Sequence, residues 1–266
     1  MQLEYVRKLL CLDGKKAIVT GGNSGIGKGI ALSLASLGAD ITFVGRHAPS
    51  IAEAEAELAA LKVKAKGFKV DVSVRAEVDR FFDAYYAENG RNLDILVSNA
   101  SVEYDKRLLD ATEEELEAMC GVNLKGTMLF AQRAAEVMKE RLRGCIVIVT
   151  SVNGLHPNPP QALYSATKAA QQSMMESLAA DLRKYNIRVN TLAPGAVLTN
   201  IGLNDQNRHT QARTGPADTP ASHVLSRVGL PEDMGDACAC LVSDAFRYMT
   251  GATVVVDGGI MLRGLS

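Results

Sequence analysis

The sequence predicts a single α/β domain: a doubly wound parallel sheet with helices on both faces. Three observations predict it. Short runs of β-branched and aliphatic residues alternate with longer segments of helical periodicity, the rhythm of repeated β-α-β units. The short runs are apolar at every position, as strands are when helices cover both faces of a sheet. The chain has 266 residues and no linker that would divide it, which suits one large core better than two small ones.

The elements follow in order. Ala17-Ile18-Val19, after Asp13-Gly14-Lys15, reads as the first buried strand, and 25–37 as a helix closed by Gly38. A second strand is predicted at 41–44, an Ala- and Glu-rich helix at 51–61, a third strand at 65–70 and a helix at 74–86. The fourth strand falls at 93–97. A long helix over 113–139 follows, bent near Gly126, and then a fifth strand at 145–149. A second long helix at 162–185, a strand at 187–192, a helix at 231–242 and a last strand at 253–256 complete a Rossmann-type pattern. One stretch breaks the rhythm. Residues 200–227 are polar and aperiodic and carry Gly215, Pro216 and Pro220. So long a loop reads as a lid over a substrate or as a variable surface insertion.

Composition narrows the classes of function. With 47% hydrophobic and 22% charged residues the chain is globular rather than disordered. A net charge of -1 leaves no basic excess for nucleic acid or an anionic membrane surface. Cys11, Cys120, Cys145, Cys238 and Cys240 are odd in number and form no CxxC pair, so they read as free thiols in a reducing compartment, and a cytoplasmic location is expected. Glu4, Arg7 and Lys8 interrupt the N-terminal apolar residues, unlike a signal peptide, and no run approaches the ~20 apolar residues of a membrane helix. His47, His156, His209 and His223 are scattered without ligand spacing, so no catalytic metal is expected.

Five motifs carry chemistry. Thr20-Gly21-Gly22-Asn23-Ser24-Gly25-Ile26-Gly27 ends the first strand and opens the first helix, where glycines let backbone approach a pyrophosphate and the helix N-terminus offers N–H groups to it. A turn without a ligand is the plainer reading, but the position between strand and helix favours dinucleotide binding. At the end of the second strand, where a carboxylate would hold the ribose of NAD, stand Gly45-Arg46-His47. A guanidinium suits a 2′-phosphate, so NADP(H) is favoured over NAD(H), unless Arg46 is merely solvated. Asp71-Val72 follows the third strand, where the acid accepts from an adenine amino group or caps the next helix. Ser98-Asn99-Ala100-Ser101 lies at the carboxyl end of the fourth strand, where open sheets bind ligands, or forms a simple turn.

The fifth motif is the most specific. Tyr164-Ser165-Ala166-Thr167-Lys168 opens the second long helix, and residues four apart share a face, so phenol and ammonium point the same way. A free tyrosine titrates near 10, and an adjacent cation favours its phenolate. Ser151 at the end of the fifth strand supplies a hydroxyl for a substrate carbonyl, with Asn153 just beyond it.

With these residues in view, the chain from about Leu12 onward resembles a short-chain dehydrogenase/reductase. The TGxxxGIG turn, Ser151 with YxxxK, Asn123 in Gly121-Val122-Asn123-Leu124, Pro194-Gly195 and Asp257-Gly258-Gly259 match the family in order. The resemblance implies interconversion of a secondary alcohol and a ketone with NADP(H), on a small-molecule substrate. It implies that Tyr164 is the proton donor, that Ser151, with Asn153 and Tyr164, contacts substrate, and that Lys168 lowers the Tyr164 pKa and holds the nicotinamide ribose. Asn123 would anchor a relay water, and Pro194, Gly195, Val197 and Thr199 would lie against the nicotinamide. One departure stands out: the family usually has NNAG where this chain has Ser98-Asn99-Ala100-Ser101. The resemblance also implies a homo-oligomer, tetramer or dimer, built on the two long helices. Ala169, Met174, Met175, Leu178, Ala179 and Leu182 supply apolar surface for that, or for the chain's own core.

For substrate, apolar Val197, Leu198, Ile201 and Leu203 at the loop root, with Met261 and Leu262, point to a hydroxysteroid or bile acid and so to lipid metabolism. The alternative is a 3-oxoacyl thioester of acyl-carrier protein, met by Arg133, Lys139, Arg141 and Arg143. A sugar or polyol is a variant of the same class. A non-catalytic NADP sensor or scaffold is disfavoured because Tyr164 and Lys168 are both present.

Overall fold

A helix, α1 (Gln2–Leu10), precedes the first strand, and the periodicity gave no sign of it. The computed structural model describes residues 2–199, 225 and 227–262. Seven strands follow: β1 (Lys16–Thr20), β2 (Asp40–Gly45), β3 (Ala65–Lys69), β4 (Ile95–Ser98), β5 (Gly144–Val149), β6 (Ile187–Pro194) and β7 (Thr253–Val256). They form one sheet in the order β3-β2-β1-β4-β5-β6-β7, and every pairing is parallel. The doubly wound sheet expected from the apolar runs is therefore the fold.

The reason lies in the side chains of β1 and its neighbours. Ile18 and Val19 are both fully buried, yet they enter opposite cores because successive strand residues face opposite ways. Val19 and Phe43 pack with Ile30 and Leu34 of α2 (Gly25–Ser36), Ile51 and Leu58 of α3 (Ala48–Ala59) and Cys238 of α8 (Pro231–Val242). Ile18 and Val44 pack with Phe81 and Phe82 of α4 (Arg75–Asn89), Phe130 of α6 (Thr127–Arg141) and Met175 of α7 (Ala162–Leu182). Each such fully buried side chain contributes roughly 1.5–3 kcal/mol, so both faces of the sheet are committed.

The long helix expected at 113–139 is three pieces: α5 (Glu113–Met119), a π-helical turn (Cys120–Gly126) and α6. Thr112 starts α5 with a capping box, its hydroxyl accepting from the Glu115 N–H while the Glu115 carboxylate accepts from the Thr112 N–H. At Gly126 a Cβ would lie 2.8 Å from Val72 Cγ2, so glycine lets the bent helix rest on the β3–α4 connection. The π turn carries Asn123 inward, and such turns gather at functional sites.

Strand order reverses between β1 and β4, which opens a crevice at the carboxyl ends of these strands. The predicted lid at 200–227 lies outside the described residues, apart from Leu225 and Arg227. Arg227 pairs with both oxygens of Asp233, at 2.6 and 2.7 Å, at the start of α8. Among the described residues no helix is long and apolar enough to cross a membrane.

Candidate active site

The crevice holds a cavity of about 250 Å³. Its walls are Gly21 and Asn23–Ile26 from the glycine turn, 44–47 from the end of β2, 70–72 after β3, and 99–102 after β4. Of the predicted cofactor residues, Gly21, Asn23, Ser24, Gly25, Ile26, Arg46, His47, Asp71, Val72, Asn99 and Ala100 meet there.

The turn is shaped for an anion. Gly21 and Gly25 have φ of +67° and +51°, a region that L side chains rarely adopt. The Ser24 side chain makes no capping bond to α2, so it satisfies none of the first-turn N–H groups. Gly27 lies behind the cavity, where a Cβ would stand 2.2 Å from the Gly21 carbonyl oxygen and 2.5 Å from Asn99 Nδ2. Asn99 locks this packing: its Nδ2 donates to the Thr20 carbonyl at 3.0 Å, and its N–H to Thr20 Oγ1 at 2.9 Å. Asn23 donates to Ser50 Oγ at 2.8 Å. The residues present thus fit a dinucleotide pyrophosphate.

Arg46 is exposed at the cavity rim. Burial raises the pKa of Asp71, but hydrogen bonds from Ser73 and the charge of Arg46 outweigh it and hold the carboxyl below its usual range. Asp71 Oδ1 accepts from the Ser73 N–H and hydroxyl, so Asp71 caps the turn before α4 while its side chain also lines the cavity. Both readings of Asp71 thus have a structural footing.

Pro194, Gly195, Val197 and Thr199 are not part of the walls of this cavity. The Gly195 N–H donates to the Val256 carbonyl, and Val197 bridges to Gly229. Thr199 leans on the glycine turn, 3.3 Å from where a Gly25 Cβ would be.

The catalytic candidates converge at the end of β5. Ser151 Oγ accepts from the Asn153 N–H at 3.1 Å and starts a single 3-10 turn over Val152–Gly154. A Cβ on Gly154 would fall 2.8 Å from the Lys168 carbonyl carbon, so glycine lets this turn lie directly on α7, the helix that carries Tyr164 and Lys168. Lys168, one helical turn further, is 1% exposed; its Nζ donates to the Val149 carbonyl at 3.1 Å and sits 5.4 Å from the centre of the Tyr164 ring.

The electrostatics here differ from the expected phenolate-favouring pair. Burial, followed by the charge of Glu103, raises the Tyr164 pKa above its ordinary value, and the Ser151 hydrogen bond only partly opposes them. Burial pushes Lys168 down to about 7, with Glu103 opposing. Lys168 is fully buried and Tyr164 half-buried, and the loss of water disfavours the charged form of each.

Asn123 is fully buried. Its Oδ1 accepts from the Ser101 hydroxyl and the Val102 N–H, and its Nδ2 donates to the Val102 carbonyl and Thr167 Oγ1. Its carbonyl accepts from Thr127 Oγ1 and Gln171 Nε2, both at 2.8 Å. Through these bonds Asn123 clamps the 101–102 loop to α7. The Ser101 hydroxyl that replaces the family glycine joins this clamp.

Sequence reasoning missed Glu103 and Gln161. Gln161 Nε2 donates to Glu103, and Asn153 Nδ2 donates to Gln161. These residues lie in separate segments, and no spacing rule joins them.

Comparison with known proteins agrees with this geometry. Residues 21–261 match the family described as enoyl-(acyl carrier protein) reductase. An L-rhamnose 1-dehydrogenase (NAD(P)(+)) of Sphingomonas sp. (strain SKA58) is 36% identical over 251 residues, 94% of this chain and 97% of that protein. A 3-oxoacyl-[acyl-carrier-protein] reductase of Thermotoga maritima is 32% identical over 252 residues, 94% of this chain and 99% of its own. The crystal structure of a short-chain type dehydrogenase/reductase from Mycobacterium marinum superposes with a TM-score of 0.87 at 32% identity, covering 96% of this chain and 98% of that one.

Proposed function

The chain belongs to the short-chain dehydrogenase/reductase family and is a nicotinamide-dependent oxidoreductase acting on CH–OH groups, and on that premise we propose that it interconverts a secondary alcohol and a ketone with a preference for NADP(H). The observation that carries the reading is the meeting of Ser151, Tyr164 and Lys168 at the carboxyl end of β5, on the same edge of the parallel sheet as the glycine turn after β1.

When bound, the cofactor supplies or accepts the hydride. The glycine turn and the N-terminus of α2 hold its pyrophosphate, Arg46 and His47 receive the 2′-phosphate, and Asp71 and Val72 border the adenine. Pro194, Gly195, Val197 and Thr199 close the nicotinamide side, and Lys168 holds the ribose. In the reducing direction the Ser151 hydroxyl donates to the substrate carbonyl oxygen and polarises it. Tyr164 donates its phenolic proton to the alkoxide oxygen that forms. Asn153, fixed beside Ser151, borders the substrate.

Of the four cations offered for a carrier protein, Lys139 lies over the Tyr185 ring and the three arginines are paired with carboxylates of this chain. Arg133 pairs with Asp79, Asp83 and Glu136, and Arg141 and Arg143 both pair with Asp94. The steroid reading rested partly on Ile201 and Leu203, which lie outside the described residues. Free thiols at all five cysteines support a reducing, cytoplasmic setting. On α7, Met175, Ala179 and Leu182 are core, whereas Ala169 is exposed and Met174 and Leu178 are half-buried, which supports pairing of this helix between copies.

The test is NADPH and NADH turnover by purified protein on neutral sugars and polyols, keto-steroids and an acetoacetyl thioester. Turnover of one class, faster with NADPH, is expected. Tyr164→Phe should lower kcat by at least about a thousandfold while retaining NADPH affinity; near-normal activity in that variant would remove Tyr164 from the reaction.

A further inference from the structure

We propose that Glu103 is the specificity-determining residue of this site and that it selects a neutral polyhydroxylated substrate by accepting a hydrogen bond from a hydroxyl beside the reacting carbon. This rests on the alcohol–ketone reading above and names the substrate class for it.

Glu103 lies on the loop after β4, between the clamped Val102 and the solvent-exposed Asp105. It is half-buried, and burial, followed by the charge of Asp105, raises its pKa against the opposing charge of Lys168 and the Gln161 hydrogen bond. One chain of hydrogen bonds ties it to the catalytic serine: Gln161 donates to Glu103 Oε1, Asn153 donates to Gln161, and the Asn153 N–H donates to Ser151 Oγ. Three separate segments therefore hold the carboxylate at the reacting centre, where its charge acts on both Tyr164 and Lys168.

Within the described residues Glu103 forms no ion pair, and no donor is bonded to its Oε2. A half-buried carboxylate without a paired cation is costly, and although its charge favours the Lys168 ammonium it also raises the Tyr164 pKa. The arrangement becomes favourable once a substrate donor meets the second oxygen. A hydroxyl supplies that donor without a charge. An acidic substrate would be repelled, and a wholly apolar one would strip water from the carboxylate and return no hydrogen bond.

The experiment compares kcat/KM for neutral aldoses and polyols with ketones and alcohols of equal chain length that carry a single oxygen, and with aldonates, in wild type, Glu103→Gln and Glu103→Ala. NADPH affinity and thermal midpoint establish that each variant is folded, and the near-isosteric Glu103→Gln covers a collapse of Glu103→Ala. Wild type is expected to favour the neutral polyhydroxylated compounds by at least about tenfold, as one charge-assisted hydrogen bond provides. In Glu103→Gln that preference should shrink about tenfold, chiefly through a higher KM for the hydroxylated compound, while discrimination against aldonates relaxes. An unchanged preference in a folded Glu103→Gln overturns the proposal. So does a wild type that turns over steroids or thioesters better than polyols, although the alcohol–ketone reading would then stand. Absence of turnover on every class with either cofactor overturns that reading and this proposal together.

Discussion

Replacing Lys168 by methionine should make the cofactor-free protein more stable while destroying its activity. Lys168 is 1% exposed and titrates near 7 in the folded chain, against 10.5 for an ordinary lysine. Each tenfold change in protonation equilibrium is worth about 1.4 kcal/mol, so keeping the ammonium in the site costs up to about 5 kcal/mol at or below pH 7. Methionine has similar length and no charge, but it leaves the Val149 carbonyl without its donor, which costs about 1–3 kcal/mol. The net gain is up to about 2–4 kcal/mol, or roughly 4–16 °C in a domain of this size. The sign with pH is fixed. Below pH 7 both folded and unfolded lysine are charged and the full penalty is present. Between 7 and 10.5 the unfolded chain binds more protons, so wild-type stability rises with pH and the advantage of methionine shrinks. Thermal denaturation of both proteins from pH 6 to 9.5, without cofactor, measures this. A wild type at least as stable as Lys168→Met at pH 6, or a difference that does not narrow as pH rises, would refute the desolvation argument.

Two more substitutions test the cofactor cradle. Arg46→Asp should move the NADPH/NADH ratio of kcat/KM toward NADH by about tenfold or more, since it removes a charge-assisted partner of the 2′-phosphate and adds repulsion; steady-state kinetics with both cofactors reads it, and an unchanged ratio would take Arg46 out of cofactor choice. Gly27→Ala places a Cβ 2.2 Å from the Gly21 carbonyl oxygen, so stability should fall by about 1–3 kcal/mol and NADPH affinity with it, by thermal denaturation and fluorescence titration; normal values for both would mean the turn is not as rigid as its packing implies.

Local patterns determined much of this protein. The apolar runs give the central strands β4 and β5 because a strand covered on both faces must be apolar nearly throughout. The TGGNSGIG stretch gives the turn because its φ angles and close contacts leave no room for side chains. The four-residue spacing of Tyr164 and Lys168 gives a shared helix face because 3.6 residues make a turn. Helix α1 and the π turn at 120–126 were not legible, since packing rather than periodicity decides them. Tertiary structure alone decided what surrounds the chemistry. Glu103 and Gln161 stand 58 positions apart in sequence yet share a hydrogen bond. Asn123 spends its polar groups on partners from three segments. Burial, which no residue spacing encodes, raises the Tyr164 pKa and lowers that of Lys168: the desolvation of a charge depends on everything packed around it, and the sequence names the charge without its surroundings.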